Sequence, residues 1–451
     1  MKKLWIAMGM VLLMTGAGML PVQGESSSIS YEKSALAAGI SDGSGGEVKV
    51  DEEKENLILL TWPKDEESVR YEVEIFSGLP SDLDRNTPLY TAIYRNQRIY
   101  TNRLLVDRTA LGSSGPLYWR VRSINENWEG MGPFSSPREL ESTAVQVRRN
   151  APSPQRIQKG RGSLILYPVY SYAGNPGASR YEVEVTDRYP ENTDGIEPSK
   201  YRVFSKITNL SNLYDDFPRA GTFFWRVRGM DEEGNPVGIW SLPERAGISG
   251  EEMADAGIFG DSITHGGGHL YHSPADLSYS YLSYLDFNAI NMGKSGDTTE
   301  MMKKRFDEDV LPFHVKYLLI MGGINDLRMG KEAEEVIRNL ENIRKKCEKH
   351  HIIPVLLTII PINPENIQRF YGDVTDEHWK EAVDKVNAYI RSRPHIDTAA
   401  PFEAFPVMPK EFALDGIHGD WNAKEMIAGV INRHIGDFQS PAARVGKKTE
   451  P

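Results

Sequence analysis

The stretch Ala256-Gly257-Ile258-Phe259-Gly260-Asp261-Ser262-Ile263-Thr264 decides how the second half of this chain is read. Its first four residues are small or apolar, as suits a strand covered on both faces. Gly260 lets the backbone turn where a Cβ would clash. Ser262 then falls just past the carboxyl end of the strand, the edge where open α/β sheets bind ligands. Taken alone, Gly-Asp-Ser is weak evidence, equally compatible with a strand end carrying a solvent-facing serine.

Three later stretches change that reading. Asn291-Met292-Gly293-Lys294-Ser295-Gly296-Asp297-Thr298 follows the mostly apolar Phe287 to Ile290. Gly322-Gly323-Ile324-Asn325-Asp326 follows Tyr317-Leu318-Leu319-Ile320-Met321, and Asp415-Gly416-Ile417-His418 lies close to the end. Parallel strands ending in this way would converge their polar tips on one rim. The spacing predicts strands near 256–261, 287–292, 316–321, 353–359 and 396–400. It predicts helices near 299–311, 333–350, 377–392 and 423–437. Such alternation implies a parallel sheet with helices on both faces. Asp376 is expected to cap the third helix. Glu300, Asp307, Glu308 and Asp309 are expected on the solvated side of the first.

These four blocks, in this order, resemble the SGNH (GDSL-type) hydrolase family over roughly residues 253–438. The resemblance implies a three-layer, flavodoxin-like α/β domain that hydrolyses esters through a serine acyl-enzyme, with no metal or cofactor. It makes Ser262 the nucleophile and Asp415 and His418 its partners. It makes the Ser262 N–H, the Gly296 N–H and the Asn325 amide the donors to the oxyanion. The chemistry needs these residue types. A serine hydroxyl is a poor nucleophile until a base takes its proton, and neutral imidazole suits that task. A carboxylate three positions before the histidine reaches Nδ1–H, fixes the tautomer and stabilises the imidazolium. Losing one oxyanion donor costs about 3–4 kcal/mol of transition-state stabilisation. Each residue has a plainer role on its own: Asp415 as a helix N-cap, Asn325 and Gly296 as turn residues. Those roles do not explain their joint occurrence at strand ends.

Upstream lies an internal repeat. Leu57-Ile58-Leu59-Leu60-Thr61-Trp62-Pro63 is echoed by Ser163-Leu164-Ile165-Leu166-Tyr167-Pro168. Tyr71-Glu72-Val73-Glu74-Ile75 returns as Tyr181-Glu182-Val183-Glu184-Val185, and Trp119-Arg120-Val121-Arg122 as Trp225-Arg226-Val227-Arg228. Each unit closes alike, with Pro133-Phe134-Ser135 and Ile239-Trp240-Ser241. Alternating apolar and charged residues mark half-buried strands. The pattern resembles fibronectin type III or a related immunoglobulin-like fold, implying all-β sandwiches at 47–143 and 150–246 joined at Asn150-Ala151-Pro152-Ser153-Pro154. Their Trp and Tyr residues are expected in the cores rather than on ligand platforms.

The chain has 451 residues, with 40% hydrophobic and 25% charged residues, ordinary for globular domains. A net charge of −11 argues against a nucleic-acid partner, which would want a basic face. Met1 to Gly24 reads as a signal peptide, with Lys2 and Lys3 before a mostly apolar run. No cysteine accompanies it, so a lipid-bearing cysteine there is not expected, nor is a membrane span after signal removal. Residues 25–46 read as a flexible linker and 439–451 as a disordered tail. The only cysteine, Cys347, continues the helical series Val336, Leu340, Ile343 and is expected in the core.

His265-Gly266-Gly267-Gly268-His269 and His272 invite a metal reading, but three glycines oppose the helix that would align them, and no metal is expected. The stretch is read as a loop beside the site, with Tyr271 and His272 lining a substrate cleft. Tyr279, Tyr281 and Tyr284 are expected on a helix beginning near Pro274. These features together predict a secreted enzyme, extracellular or periplasmic. Its expected action is removal of O-acetyl groups from an esterified small molecule or extracellular polysaccharide. A lipase, lysophospholipase or thioesterase is the alternative within the family, and a cell-surface adhesion or glycan-binding protein the alternative outside it.

Overall fold

The computed structural model describes residues 57–143, 145–147, 150–155, 160–248 and 254–439. The expected signal segment, linker and all but the first residue of the expected tail lie outside these residues. Within them, β1 (Ala256–Gly260), β2 (Ala289–Gly293), β3 (Tyr317–Met321), β4 (Ile353–Leu357) and β5 (His395–Ile396) form one sheet in the order β2-β1-β3-β4-β5. Its pairs are all parallel. β1, β2 and nearly all of β3 and β4 are buried along their length, because both faces are covered. The expected fifth strand shrinks to His395–Ile396, and Ala400–Phe402 is a 3₁₀ turn around Pro401.

Register is what brings the polar blocks together. Gly260 of β1 pairs with Gly293 of β2 on one side and with Met321 of β3 on the other. The three strands therefore end level, and their following loops share one rim. Gly260 is required there: a Cβ would stand 2.3 Å from the Met321 carbonyl oxygen and 2.4 Å from Thr264 Oγ1.

Between Ser262 and His434 the helices are α1 (Ser262–His265), α2 (Thr299–Asp309), α3 (Ile324–Arg328), α4 (Ala333–Lys349), α5 (Pro364–Tyr371), α6 (Trp379–Arg391) and α7 (Trp421–His434). On α4, Val336, Leu340, Ile343 and Cys347 are all buried, as their spacing predicts. Three expectations are corrected. Asp376 does not cap α6 directly; His378 takes that position, and Asp376 instead accepts its N–H at 2.9 Å. Asp309 does not face solvent, being 1% exposed and bonded to Arg305 and Tyr167. Tyr279, Tyr281 and Tyr284 lie on two short 3₁₀ turns, Leu277–Tyr279 and Tyr281–Tyr284, because Ser280 between them is extended.

The upstream region is β-rich. Residues 57–147 form a three-stranded and a four-stranded sheet, and residues 153–246 a three-stranded and a five-stranded sheet. Each pair of sheets shares one apolar core. The Tyr-Glu-Val-Glu strands were expected to be half-buried, yet Glu72, Glu74, Glu184, Arg120 and Arg226 are fully buried. Cross-strand register explains it. Glu74 faces Arg120 and Glu184 faces Arg226, with salt bridges of 2.8 and 2.5 Å. Phe134 and Trp240, from the two matching closing segments, cover these arginines at 4.1 and 4.6 Å.

One repeat correspondence fails in space. Leu57–Thr61 is a strand of the first unit, whereas Leu164–Leu166 leaves the second unit and pairs with the β2 edge. The Leu166 N–H donates to the Asn291 carbonyl at 2.9 Å and the Asn291 N–H to the Leu164 carbonyl at 2.7 Å. β2 would otherwise be an open edge, and Leu166 and Tyr167 join the core of the α/β domain.

Candidate active site

Ser262 is the first residue of α1, directly after β1. Asp261 caps that turn, its Oδ1 accepting the Ile263 N–H at 3.0 Å. Beneath it, the buried Lys424 on α7 donates to the Ile263 carbonyl at 3.1 Å. Burial pushes the Asp261 carboxyl up to about 7 and the Lys424 amine down to about 8. The turn is thus held from below by groups in which burial works against charge.

Ser262 Oγ lies 2.9 Å from His418 Nε2, and His418 Nδ1 lies 2.8 Å from Asp415 Oδ2. Asp415 sits in the loop before α7 and does not cap that helix; Asp420 occupies the cap position. Its Oδ1 accepts the backbone N–H of Ile417 and of His418, each at 2.8 Å. Its Oδ2 also accepts the Tyr371 hydroxyl at 2.7 Å. Burial pushes the Asp415 carboxyl up, but His418 and these hydrogen bonds outweigh it and hold it below its usual range. Burial, with Asp415 beside it, raises the Tyr371 phenol far above its ordinary value, so it stays a donor.

The other two loops complete the rim. Gly296 has φ +85°, a left-handed conformation open to glycine. Among the described residues, neither the Ser262 N–H nor the Gly296 N–H donates to a protein acceptor. Asn325 donates one amide hydrogen to the Asp297 carbonyl at 3.0 Å, and its oxygen accepts from Arg328 Nε at 3.2 Å. That fixes the amide's orientation and leaves its second hydrogen for a ligand. Asp326 joins the two loops, accepting the Thr299 N–H at 2.8 Å. Ser262 is 6% and Asn325 4% exposed, so both are buried.

The three histidines after the nucleophile are all held by protein contacts, and His269 and His272 share Tyr279. His265 lies 2.9 Å from Ser295 Oγ and 2.7 Å from the Tyr167 carbonyl oxygen. Burial pushes it down to about 4, so it is neutral. His269 approaches Tyr279 Oη at 3.2 Å. His272 does not line an open cleft: its side chain is 7% exposed, it lies 3.1 Å from the Ser68 carbonyl and 3.4 Å from Asp276, and it stacks on Tyr279. It ties the loop to the first β-rich unit. Tyr271 stacks on Tyr100 of that unit at 4.1 Å. Among the described residues, no group of three or more His, Cys, Asp or Glu is arranged to hold a metal.

Tyr371, Arg328 and the Tyr167 carbonyl are contributors the sequence did not announce. For Tyr371 a signal existed: Asn363-Pro364 and Gly372 mark a helix start and stop, and Tyr371 is that helix's last residue. Arg328 and Tyr167 act through long-range contacts with no local signature.

A serine, an imidazole and a carboxylate in hydrogen-bond sequence, beside unpaired backbone N–H groups, suit acyl transfer. Residues 258–420 match the family model described as the GDSL-like Lipase/Acylhydrolase family. They form a GDSL-type hydrolase domain. Among curated proteins, "Uncharacterized lipoprotein YqeF" from Bacillus subtilis (strain 168) is 37% identical over 128 residues, covering 26% of this chain and 53% of that protein. The chain thus spans about half the length of the curated relative it matches. Among solved structures, a lipase/acylhydrolase from Enterococcus faecalis is 25% identical, with a TM-score of 0.32, covering 40% of this chain and 94% of that one. An acetylxylan esterase from Geobacillus stearothermophilus, solved as a catalytic mutant, is 20% identical, with a TM-score of 0.30, covering 40% and 93%.

Proposed function

We propose that the protein is a serine esterase that removes small acyl groups, chiefly O-acetyl, from an extracellular carbohydrate. The observation that carries the esterase reading is the chain from Ser262 Oγ through His418 to Asp415, at 2.9 and 2.8 Å. His418 takes the Ser262 proton as Oγ attacks the ester carbonyl. The Ser262 and Gly296 N–H groups and the Asn325 amide stabilise the oxyanion. His418 then gives the proton to the leaving alcohol, and water, deprotonated by His418, releases the acid. The burial of Ser262 and Asn325, which leaves little exposed surface beside the nucleophile, supports a small acyl group.

The carbohydrate side rests on the β-rich units, which we read as fibronectin type III-like sandwiches at 47–143 and 150–246, and on export directed by residues 1–24. The relative named a lipoprotein is compatible with a surface location. No helix among the described residues is long and apolar enough to cross a membrane. Hydrolysis of p-nitrophenyl acetate and octanoate by wild type and by Ser262→Ala tests the proposal. Acetate turnover that vanishes in the variant supports it. Strong preference for octanoate moves the assignment to a lipase, and no turnover of either by folded protein overturns it.

A further inference from the structure

The first β-rich unit meets the hydrolase domain on the side of Asp415. Val69 packs in one cluster with Leu270 and Leu414, and Tyr271 and Phe370 lean on that cluster. Leu414 precedes Asp415 and Phe370 precedes Tyr371, so this seam borders the residues that hold His418. Lys64 bridges to Asp276 at 2.5 Å and Tyr279 Oη donates to the Glu66 carbonyl at 2.6 Å, which fixes the two domains here.

Arg70, next to Val69, has no partner that satisfies it. It is 2% exposed, and its Nε and Nη1 are buried without a hydrogen-bond acceptor. A guanidinium does not shed its proton to escape this cost. Its carbon lies 3.7 Å from the Trp128 ring centre and 5.3 Å from that of Tyr271, so aromatic faces stand against it. Cation–π attraction offsets only part of what an unpaired buried charge loses. The nearby carboxylate, Glu126, is already engaged by Lys410. Trp128 is 36% exposed and also walls a surface depression of about 370 Å³ lined by Arg95, Asn96, Gln97 and Arg98. Arg98 lies 5.6 Å from the Trp128 ring and has no ion pair among the described residues. In a chain of net charge −11, Arg70 and Arg98 stand on Trp128 with no carboxylate paired to either among the described residues.

We propose that the Arg70–Trp128–Tyr271 seam, with Arg98 at its mouth, is a subsite for a carboxylate-bearing sugar of an acidic polysaccharide, held beside the ester that Ser262 attacks. The carboxylate supplies the acceptor that Arg70 lacks, as a charge-assisted hydrogen bond. The apolar face of the sugar ring lies on the exposed part of Trp128. The inference rests on the carbohydrate-esterase reading for the position of the ester, but not for binding itself.

The test is calorimetric titration of the full chain carrying Ser262→Ala, with trigalacturonate and with neutral xylotriose at low ionic strength. The acid is expected to bind at least about tenfold more tightly than the neutral sugar, and less tightly as salt is raised. Adding Arg70→Gln is expected to weaken acid binding by about 10- to 100-fold while leaving neutral binding unchanged. Arg98→Gln, partly exposed and without an ion pair among the described residues, guards against a folding artefact and is expected to weaken the acid in the same direction. Equal binding of the two sugars, binding of neither, or acid binding unmoved by Arg98→Gln and Arg70→Gln overturns the subsite. Wild-type turnover of p-nitrophenyl acetate is measured alongside. Turnover without acid-selective binding rejects the subsite alone; acid-selective binding without turnover rejects the esterase reading and leaves the subsite standing.

Discussion

Replacing Asp415 with asparagine changes one atom and should silence the proposed base. The Asp415 Oδ1 receives two backbone N–H groups at 2.8 Å, so the amide oxygen of the variant stays on that side. The amide nitrogen then takes the place of Oδ2, 2.8 Å from His418 Nδ1. It donates to Nδ1, which leaves the imidazole proton on Nε2, 2.9 Å from Ser262 Oγ. An Nε2 that carries a proton does not accept one from serine. A tautomer inversion of this kind costs about 10⁴-fold in kcat, or about 5.4 kcal/mol at about 1.36 kcal/mol per decade. The Tyr371 hydroxyl also loses its acceptor, which adds to the loss and subtracts nothing. The assay is p-nitrophenyl acetate hydrolysis by Asp415→Asn and wild type, with thermal unfolding of both. A variant that unfolds like wild type yet keeps more than about a tenth of its kcat refutes the role given to Asp415.

Three further outcomes follow from the same geometry. Asn325→Ala removes one oxyanion donor and should lower kcat by about 10²- to 10³-fold with KM little changed, read from full saturation curves; a purely KM effect would assign Asn325 to substrate binding. His265 is neutral in the fold, pushed down to about 4, while in the unfolded chain it titrates near 6.5. Its contribution to stability is therefore complete above about pH 6.5 and is lost as pH falls toward about 4. The unfolding free energy of wild type minus that of His265→Gln should drop by as much as about 3 kcal/mol across that window, and a flat difference contradicts it. Cys347 is fully buried, and burial pushes its thiol up to about 12, so native protein should react with a thiol reagent only as it unfolds. Fast labelling of folded protein would place Cys347 elsewhere.

The residues most legible in the sequence were those whose role is fixed by strand ends. Ser262, Gly296 and Asn325 each follow a short apolar run closed by glycine. Level strand register turns that one-dimensional pattern into a common rim. Asp415 and His418 were legible because three residues suffice for the carboxylate to reach both Nδ1 and the intervening N–H groups. The long helices α4, α6 and α7 announced themselves by apolar period. α1 and α3 span four and five residues, too short for a period to show, and they are the turns that carry Ser262 and Asn325.

Misreadings arose where a distant partner changes what a residue's type implies. Asp309 reads as a solvated acid until Arg305 and Tyr167 close over it. The Glu-x-Glu and Arg-x-Arg strands read as half-exposed until cross-strand pairing neutralises both charges under Phe134 and Trp240. Ser163 to Pro168 reads as a repeat of Leu57 to Pro63, yet the open edge of β2 competes for it and wins. His272 reads as a cleft residue because it is near Ser262 in sequence; the first β-rich unit draws it the other way.

The central claim is that Ser262 is the activated nucleophile, and covalent labelling tests it most directly. Folded wild type and Ser262→Ala would be treated with a fluorophosphonate and digested, and the adduct located by mass spectrometry. The account predicts a single adduct on the Ser262 peptide of wild type and none in the variant. Labelling at another residue, or labelling of wild type and variant alike, would contradict it.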